Sequence, residues 1–275
     1  MRVAVVGHVE WVEFLRVPHV PGAGEIVHAS HTFTQAAGGG GVASVQLRKL
    51  AGACTFFTAL GDDELGRRAE EDLRGRGVDL RLAWRPDAQR RAVTFVDEAG
   101  ERTITVLGDR MVPAAHDPLP WDELSQIDGV YLTGADPGGV RLARQARVVV
   151  ATSRILPLLQ ASAIEVDALV GSGSDPSERY QPGDLEPAPR YVVTTASARG
   201  GTIHRAGAEP EPFPAVPLPG PKGDAYGAGD SFAAGLTYGL AAGMEIGQAV
   251  ELAARCGAYC MTGNGAYDGQ LTLSP

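Results

Sequence analysis

The stretch Gly223-Asp224-Ala225-Tyr226-Gly227-Ala228-Gly229-Asp230-Ser231-Phe232 is the part of this chain that says most about its fold. Its glycines allow a tight turn, and the small and apolar residues after Asp230 predict a helix. The first amides of a helix have no partners within it, and the helix dipole adds partial positive charge there. The stretch therefore predicts an anion-binding helix start at Gly227, Ala228 and Gly229.

Asp230 is unusual in this place because its carboxylate would repel a bound phosphate. If a γ-phosphoryl group rested on the amides of Ala228, Gly229 and Asp230, the carboxylate would be placed to accept a proton from an attacking hydroxyl. The alternative is an ordinary helix start in which an acidic residue complements the helix dipole. The residues alone leave both interpretations open.

A second glycine cluster, Gly38-Gly39-Gly40-Gly41-Val42-Ala43, precedes another predicted helix. It fits the Gly-x-Gly-x-x-Ala pattern of dinucleotide-binding turns, with Asp62 and Asp63 near the spacing of a ribose-binding acid. That pattern belongs in the first strand-to-helix turn, whereas here a predicted strand and a long extended segment come first. The other interpretations are a turn that lets backbone approach a small ligand closely, and a plain loop-to-helix turn.

Composition limits the classes of protein that fit. A chain of 275 residues with 44% hydrophobic and 21% charged residues is typical of one large α/β domain or two small ones. The net charge of −9 disfavours nucleic acid or an anionic membrane as the main partner. The start turns polar by His8, too early for a signal peptide, so we expect a cytoplasmic protein. The three cysteines, Cys54, Cys256 and Cys260, indicate small buried residues rather than disulfides or a zinc site.

Short apolar runs bounded by Gly, Pro, Ser and Asp predict the strands of a parallel α/β sheet. These runs are residues 3–9, 53–60, 130–133, 148–151, 168–170 and 191–194. Residues 78–84, 92–96 and 103–107 predict a partly exposed sheet, with a hairpin turn at 97–100. Two helices with apolar stripes, separated at Gly243, end the chain.

The stretch from Gly223 to Phe232 resembles the C-terminal signature Asp-Thr-x-Gly-Ala-Gly-Asp-x-Phe of the ribokinase-like, or PfkB, family of carbohydrate kinases. Gly38 to Gly41 resembles the first family signature, and residues 59–66 resemble its Gly-x-Asp-x-x-Gly segment. The hairpin residues 100–102 also match, so the resemblance runs along essentially the whole chain. It implies a single α/β domain over residues 1–275, with a central mostly parallel sheet flanked by helices. It also implies a small β-lid formed by about 10–36 and 78–108.

The resemblance further implies ATP with Mg²⁺ as cofactors and phosphorylation of a small-molecule alcohol, without nucleic acid or membrane as partners. Asp230 would be the general base, and Gly227, Ala228 and Gly229 would form the anion hole. The implied substrate-binding residues are Glu10, Gly38, Gly39, Gly40 and Ala43. The implied nucleotide-binding residues are Thr195, Ser197, Gly200, Asp224, Gly227 and Gly229. No residue is assigned as a metal ligand, and pairing of two lids predicts a homodimer.

Several positions depart from the family pattern. Val12 stands where a sugar-binding Asp is expected, Ala43 where an Asn is usual, and Ala225 in place of Thr. The Asn-x-x-Glu element that helps to organise Mg²⁺ and phosphate is not recognisable after residues 168–170. The Thr-x-Gly-x-x-Gly nucleotide segment is present only as residues 195–200.

Because a site that binds sugar hydroxyls loses discrimination without its polar contacts, we expect an acceptor other than ribose or fructose phosphates. Glu10, His8 or Trp11 would then contact it, although Trp11 also fits an ordinary core position. Two hypotheses follow: an ATP-dependent small-molecule kinase, and a nucleotide-responsive binding or regulatory protein with weak or no kinase activity. Retention of Asp230 favours the first, and the unrecognised Asn-x-x-Glu element favours the second.

Overall fold

The computed structural model describes residues 1–273 and contains a nine-stranded central sheet beside a four-stranded sheet. In chain order the strands of the central sheet are β1 (Val3–Val6), β4 (Thr55–Gly61), β5 (Asp79–Arg85), β8 (Gly129–Leu132), β9 (Val148–Thr152), β10 (Ala168–Ser172), β11 (Tyr191–Thr195), β12 (Gly201–Arg205) and β13 (Glu211–Phe213). Their spatial order is β13-β12-β11-β10-β9-β8-β1-β4-β5. All neighbours from β11 to β5 pair in parallel, and β12 and β13 add an antiparallel edge.

Helices cover both faces of the central sheet, which explains why its strands are continuous apolar runs. The helices are α1 (Gly38–Ala51), α2 (Glu64–Gly75), α3 (Pro137–Ala143), α4 (Leu156–Ser162), α5 (Ala228–Ala241) and α6 (Ile246–Cys260). Along β1, Val3 and Val5 pack into the core beneath α1, α5 and α6, whereas Ala4 and Val6 pack into the core beneath α3 and α4. The predicted mostly parallel sheet flanked by helices is confirmed.

The four-stranded sheet contains most of the segments predicted to form the lid, and we use that name for it. Its strands are β2 (Glu10–Arg16), β3 (His31–Ala37), β6 (Arg91–Val96) and β7 (Arg102–Leu107), in the order β3-β2-β6-β7. The predicted hairpin around residues 97–100 is confirmed, because β6 and β7 pair antiparallel. All six residues of β7 are exposed, since this strand is an outer edge of the lid.

Two predicted boundaries are wrong. The lid does not include residues 79–85, because β5 pairs in parallel with β4 from Thr55 to Gly61 and so belongs to the central sheet. As an edge strand β5 is only half covered, which gives it the alternating burial that a lid strand would show. The first strand ends at Val6 rather than residue 9, because the chain leaves the central sheet and enters the lid at Glu10.

The lid is tied to the loop that precedes α5. Ala225 N donates a hydrogen bond to the carbonyl oxygen of Gly100 in the hairpin turn at 3.1 Å. From β2, the guanidinium of Arg16 donates to the carbonyl oxygen of Gly223 at 3.0 Å. The hairpin turn therefore rests on the start of the glycine stretch. Within residues 1–273, no helix has the length and apolar character needed to cross a membrane.

Candidate active site

The start of α5 presents unpaired amides to open space. Gly227 lies just before the helix with φ of 77°, a left-handed conformation that favours glycine. The first hydrogen bond of the helix joins Ser231 N to the carbonyl oxygen of Gly227 at 2.8 Å. Among residues 1–273, the amides of Ala228, Gly229 and Asp230 have no hydrogen-bond partner, and a Cβ on Gly229 would meet nothing within 4 Å. An anion can therefore approach these amides directly.

Asp230 lies where the two glycine stretches meet. A Cβ placed on Gly39 would stand 3.0 Å from the Asp230 Oδ1 atom, so the carboxylate lies directly over the start of α1. The hydroxyl of Tyr131 at the end of β8 donates to the same oxygen at 3.4 Å. Burial raises the pKa of Asp230 from 3.8 to about 6, a value suited to a group that accepts a proton near neutral pH.

His8 and Glu10 line the side of the site next to Asp230. A Cβ on Gly38 would lie 3.1 Å from Glu10 Cγ and 3.4 Å from the His8 ring, and φ of 78° makes glycine favourable there. The His8 ring stands 3.5 Å from the Thr133 hydroxyl and 3.9 Å from the Glu10 carboxylate. Burial, followed by the positive charges of Arg110 and Arg90, lowers the pKa of His8 to about 3, so the ring is neutral at physiological pH.

Two arginines from different segments reach the same side. Arg90 Nε donates to Glu10 Oε1 at 2.7 Å. Arg110 is exposed, and its side chain forms no ion pair or hydrogen bond within residues 1–273. Its Cδ atom would lie 3.9 Å from a Cβ built on Gly134. Partial burial of its guanidinium, with Arg90 nearby, lowers the pKa of Arg110. Arg110 thus brings to the site a positive charge that no ion pair within residues 1–273 neutralises.

Sequence reasoning missed a carboxylate pair at the carboxyl end of β10. Asp175 and Glu178 stand three residues apart in Asp175-Pro176-Ser177-Glu178, where the Asn-x-x-Glu element was not recognised because Asp replaces Asn. Both carboxylates form ion pairs with Arg154, which follows β9. Burial raises the pKa of Glu178, and the charge of Arg154 opposes that change. The signal available in the sequence was the spacing of three residues just after an apolar strand.

The site has no dedicated metal ligands. Within residues 1–273, no group of three or more His, Cys, Asp and Glu side chains is arranged to hold a metal ion. The oxygens of Asp175 and Glu178 are occupied by Arg154, by the amides of Ser172 and Ser177, and by the Ser177 hydroxyl. These residues therefore do not fit a resident Mg²⁺ site.

The predicted nucleotide-binding residues lie on the same edge of the central sheet, next to the carboxylate pair. Thr195 ends β11, and its carbonyl oxygen accepts a hydrogen bond from Gly173 N at 2.8 Å. Ser197 is exposed in the turn that follows. Gly200 is buried, and a Cβ there would lie 2.0 Å from the Phe213 carbonyl oxygen. Gly200 therefore closes the hairpin between β11 and β12, and its contact with nucleotide stays a prediction.

Asp224 joins the glycine stretch to the C-terminal segment through two hydrogen bonds. Its two carboxylate oxygens accept hydrogen bonds from Tyr226 N at 2.8 Å and from Gly265 N at 2.6 Å. With a relative exposure of 1%, it holds the glycine stretch against the C-terminal segment. Asp224 thus shapes the loop that leads to α5, and its contact with nucleotide stays a prediction.

Two of the predicted substrate contacts are also corrected. Gly40 is buried, and a Cβ there would lie 2.6 Å from both the His8 carbonyl oxygen and the Phe56 ring. Ala43 is fully buried in the core. Neither residue has surface that a ligand could touch, so both pack α1 against the sheet. Gly39, by contrast, lies beside Asp230, and Gly38 lies against Glu10. Contact of Glu10, Gly38 and Gly39 with substrate stays a prediction.

This arrangement defines a class of protein. A half-buried carboxylate with a raised pKa beside unpaired helix-start amides is suited to phosphoryl transfer, which requires charge stabilisation and a positioned nucleophile. The chain belongs to the pfkB family of carbohydrate kinases, whose sequence profile matches residues 1–163 and 165–273. It is a phosphotransferase with an alcohol group as acceptor.

Individual relatives agree with this membership. The chain is 31% identical, over 97% of its length and 94% of the relative, to an ATP-dependent ribose-1-phosphate kinase of Halopiger xanaduensis. Ribokinase of Thermotoga maritima has a similar fold, with a TM-score of 0.79, 19% identity, and coverage of 99% of this chain and 96% of the other. Arabidopsis thaliana ribokinase, solved with ribose and ATP, gives a TM-score of 0.75 at 19% identity, with 98% and 95% coverage.

Proposed function

We propose that this protein is an ATP-dependent kinase that transfers the γ-phosphoryl group to a hydroxyl of a sugar that already carries a phosphate. The observation that carries the proposal is the position of Asp230, beside the unpaired amides of α5 and over Gly39. Asp230 takes the proton of the acceptor hydroxyl, whose oxygen forms a bond to the γ-phosphorus as the bond to the bridging oxygen breaks. ADP leaves, and the α5 amides stabilise the developing charge. Mg²⁺ bound to the ATP phosphates would add to this charge neutralisation.

The phosphate on the acceptor is inferred from the arginines. Arg110 forms no ion pair within residues 1–273, although Glu10 and Asp230 act on it from a distance, and Arg90 forms its ion pair with Glu10. A neutral sugar would leave this positive charge unused, whereas a phosphate can accept several guanidinium hydrogen bonds. The relative with 31% identity is named for ribose 1-phosphate, which fits this chemistry. This proposal revises the expectation that the acceptor differs from ribose phosphates.

An ATP-consumption assay tests the reaction. Wild type is compared on ribose 1-phosphate, ribose 5-phosphate, fructose 6-phosphate and ribose, and we expect ribose 1-phosphate to give the highest kcat/KM. Asp230→Asn is expected to lower kcat at least about 10²-fold, as removal of a general base does. Asp128→Asn, which breaks a surface ion pair with Arg147, is the control and should retain wild-type turnover.

The acceptor charge is tested separately with Arg110→Met. We expect KM for ribose 1-phosphate to rise at least about tenfold, with KM for ribose unchanged, because only the phosphorylated sugar uses the guanidinium. Equal effects on both sugars would contradict the phosphate contact. If no acceptor stimulates ATP consumption although ATP raises the Tm, the nucleotide-responsive binding protein is the better hypothesis.

We also retain the homodimer through the lid as a proposal. The outer strand β7 exposes Ile104, Val106 and Leu107, at 40%, 43% and 42%. A second lid packed against this strand would cover apolar area and an open strand edge. Sedimentation velocity of wild type and Val106→Lys tests it: the dimer should be lost in the variant, and a monomeric wild type would refute it.

A further inference from the structure

We propose that Arg154 is a fixed cation of the phosphoryl-transfer step, held in place by Asp175 and Glu178. The inference rests on the proposed kinase function and assigns a role that neither the family membership nor the relatives' names give to this residue. Arg154 stands in the short helical turn Ser153–Ile155 at the carboxyl end of β9, between the ends of β8 and β10. The proposal depends on how its guanidinium is held.

The two carboxylates fix one side of the guanidinium. Arg154 Nη2 donates to Asp175 Oδ2 at 3.0 Å and also pairs with Glu178 Oε1. The other oxygens of the pair are bonded within the loop: Asp175 Oδ1 accepts from Ser177 N at 2.9 Å, and Glu178 Oε2 accepts from Ser172 N at 2.8 Å. Every oxygen of the two carboxylates therefore has a partner, and the pair holds the Nη2 atom of Arg154 in place.

The other side of the guanidinium is open. Among residues 1–273, Arg154 Nε and Nη1 have no hydrogen-bond partner, and the side chain is 51% exposed. Both atoms are donors, and each can give a hydrogen bond to a phosphoryl oxygen.

Arg154 is also close to Asp230. The Tyr131 hydroxyl donates to Asp230 and faces the Thr152 side chain, whose hydroxyl accepts from Arg154 N at 3.3 Å. The charge of Arg154 lowers the pKa of Asp230, second in size only to the opposing effect of burial. The other charged or titratable groups that act on or face Asp230 are Glu178, Arg102, Glu10, Arg110, His8, Tyr131, Tyr226, Tyr267 and Cys260.

These contacts give Arg154 two effects on the reaction. Its free donors neutralise charge on the equatorial oxygens as the bond from the acceptor oxygen to the γ-phosphorus forms and the bond to the ADP oxygen breaks. Its charge also favours the ionised form of Asp230, which receives the proton of the acceptor hydroxyl. Asp175 and Glu178 are positioning residues that act through Arg154.

Kinetics of Arg154→Ala, Arg154→Lys and Arg147→Ala test the proposal. Arg147 is the matched control, because its side chain is 54% exposed and lies away from the site. Its Nη2 atom pairs with Asp128 Oδ1 at a distance of 3.1 Å. We expect Arg154→Ala to lower kcat at least about 10²-fold, with a smaller loss for Arg154→Lys, which keeps the charge without the planar donors. Millimolar guanidinium chloride should partly restore Arg154→Ala. A kcat for Arg154→Ala within about threefold of Arg147→Ala would overturn the proposal.

A pH profile separates this role from a structural one. Wild-type kcat should rise with pH through about 6 as Asp230 ionises. Without Arg154 the pKa of Asp230 is higher, so the acidic limb should move to higher pH, whereas it stays in place for Arg147→Ala. Arg154→Lys keeps the positive charge, so its limb should stay near that of wild type. An unshifted limb in a folded Arg154→Ala would overturn the proposal.

A binding measurement keeps this inference distinct from the proposed function. ADP with aluminium fluoride mimics the phosphoryl group in transit, so it should raise the wild-type Tm beyond the rise given by ADP alone. Arg154→Ala should keep the ADP shift and lose the additional one. If wild type phosphorylates no acceptor, the proposed function fails, but loss of the additional shift would still support Arg154 as the phosphoryl contact. An equal additional shift in wild type and variant would overturn it.

Discussion

Two glycine-rich helix starts, those of α1 and α5, look alike in sequence and differ in what occupies their amides. At the start of α1, Gly38 N donates to the Tyr226 hydroxyl at 3.2 Å and Gly40 N donates to the His8 carbonyl oxygen at 3.2 Å. At the start of α5 the amides have no partner among residues 1–273. Glycine in such a turn therefore marks close approach, but the approaching group is the protein itself in one case and open space in the other.

The largest expected effect is on kcat, and it distinguishes the start of α5 from the start of α6. Gly229 and Gly247 are each the second residue of a helix, and a Cβ on either would meet nothing within 4 Å. Gly229→Ala is expected to fold normally but to lower kcat about 10²-fold, because the methyl group displaces the phosphoryl group from its amides. Gly247→Ala should be kinetically silent in the same ATP-consumption assay. Equal kcat values would show that no phosphoryl group approaches α5.

A substitution at the start of α1 should change the stability of the protein rather than its turnover. Gly40→Ala places a methyl group 2.6 Å from the His8 carbonyl oxygen and the Phe56 ring, and overpacking of this kind costs about 2 kcal/mol. Urea unfolding measures the lower free energy of unfolding, and the substrate affinity of the protein that remains folded should be little changed. If Gly40→Ala unfolds like wild type, the tight packing of the α1 start is refuted.

Replacing Asp230 should change the free energy of unfolding in a way that depends on pH. Its pKa of about 6 in the folded protein lies above the ordinary 3.8, so above pH 6 the folded state must hold a carboxylate that burial disfavours. Asp230→Asn should therefore raise the free energy of unfolding by ~1–2 kcal/mol at pH 8, allowing for partial exposure. The gain should fall as pH drops below 6 and disappear at about pH 3, where the carboxyl is protonated in both states. Urea unfolding at the two pH values checks this, and a destabilised variant at pH 8 would contradict it.

The smallest effect is expected for Tyr226→Phe. Removing the hydroxyl leaves the buried amide of Gly38 without its partner, which should lower the free energy of unfolding by about 1 kcal/mol. We expect kcat to change less than about threefold, because the α5 amides are untouched. A tenfold loss of kcat with normal stability would instead make the α1 start part of the chemistry.

Local patterns were sufficient to predict much of this molecule. The α5 start and Asp230 follow from glycines placed before a run of helix-forming residues, and those features need no distant partner. The parallel strands follow from apolar runs that are buried on both faces. The β6–β7 hairpin follows from two alternating segments joined by a short polar turn.

Features that depend on tertiary contacts could not be predicted. The place of β5 is set by its pairing with β4, and half burial at a sheet edge resembles half burial in a lid. Arg90, Arg110 and Arg154 come from three separate loops, so no spacing in the chain indicates that their charges act together on His8. Asp175 escaped notice because it replaces Asn. Whether Gly40 and Gly200 are open or packed depends on neighbours far away in sequence.

The hydrogen bond from Ala225 N to the Gly100 carbonyl oxygen has a consequence for how the two substrates bind. An outward movement of the lid must break this bond, so lid position and the shape of the α5 start change together. A sugar that draws the lid closed thereby favours nucleotide binding. Thermodynamic reciprocity then requires the nucleotide to raise the affinity for the sugar by the same factor. We therefore expect the two substrates to bind with positive heterotropic cooperativity rather than independently.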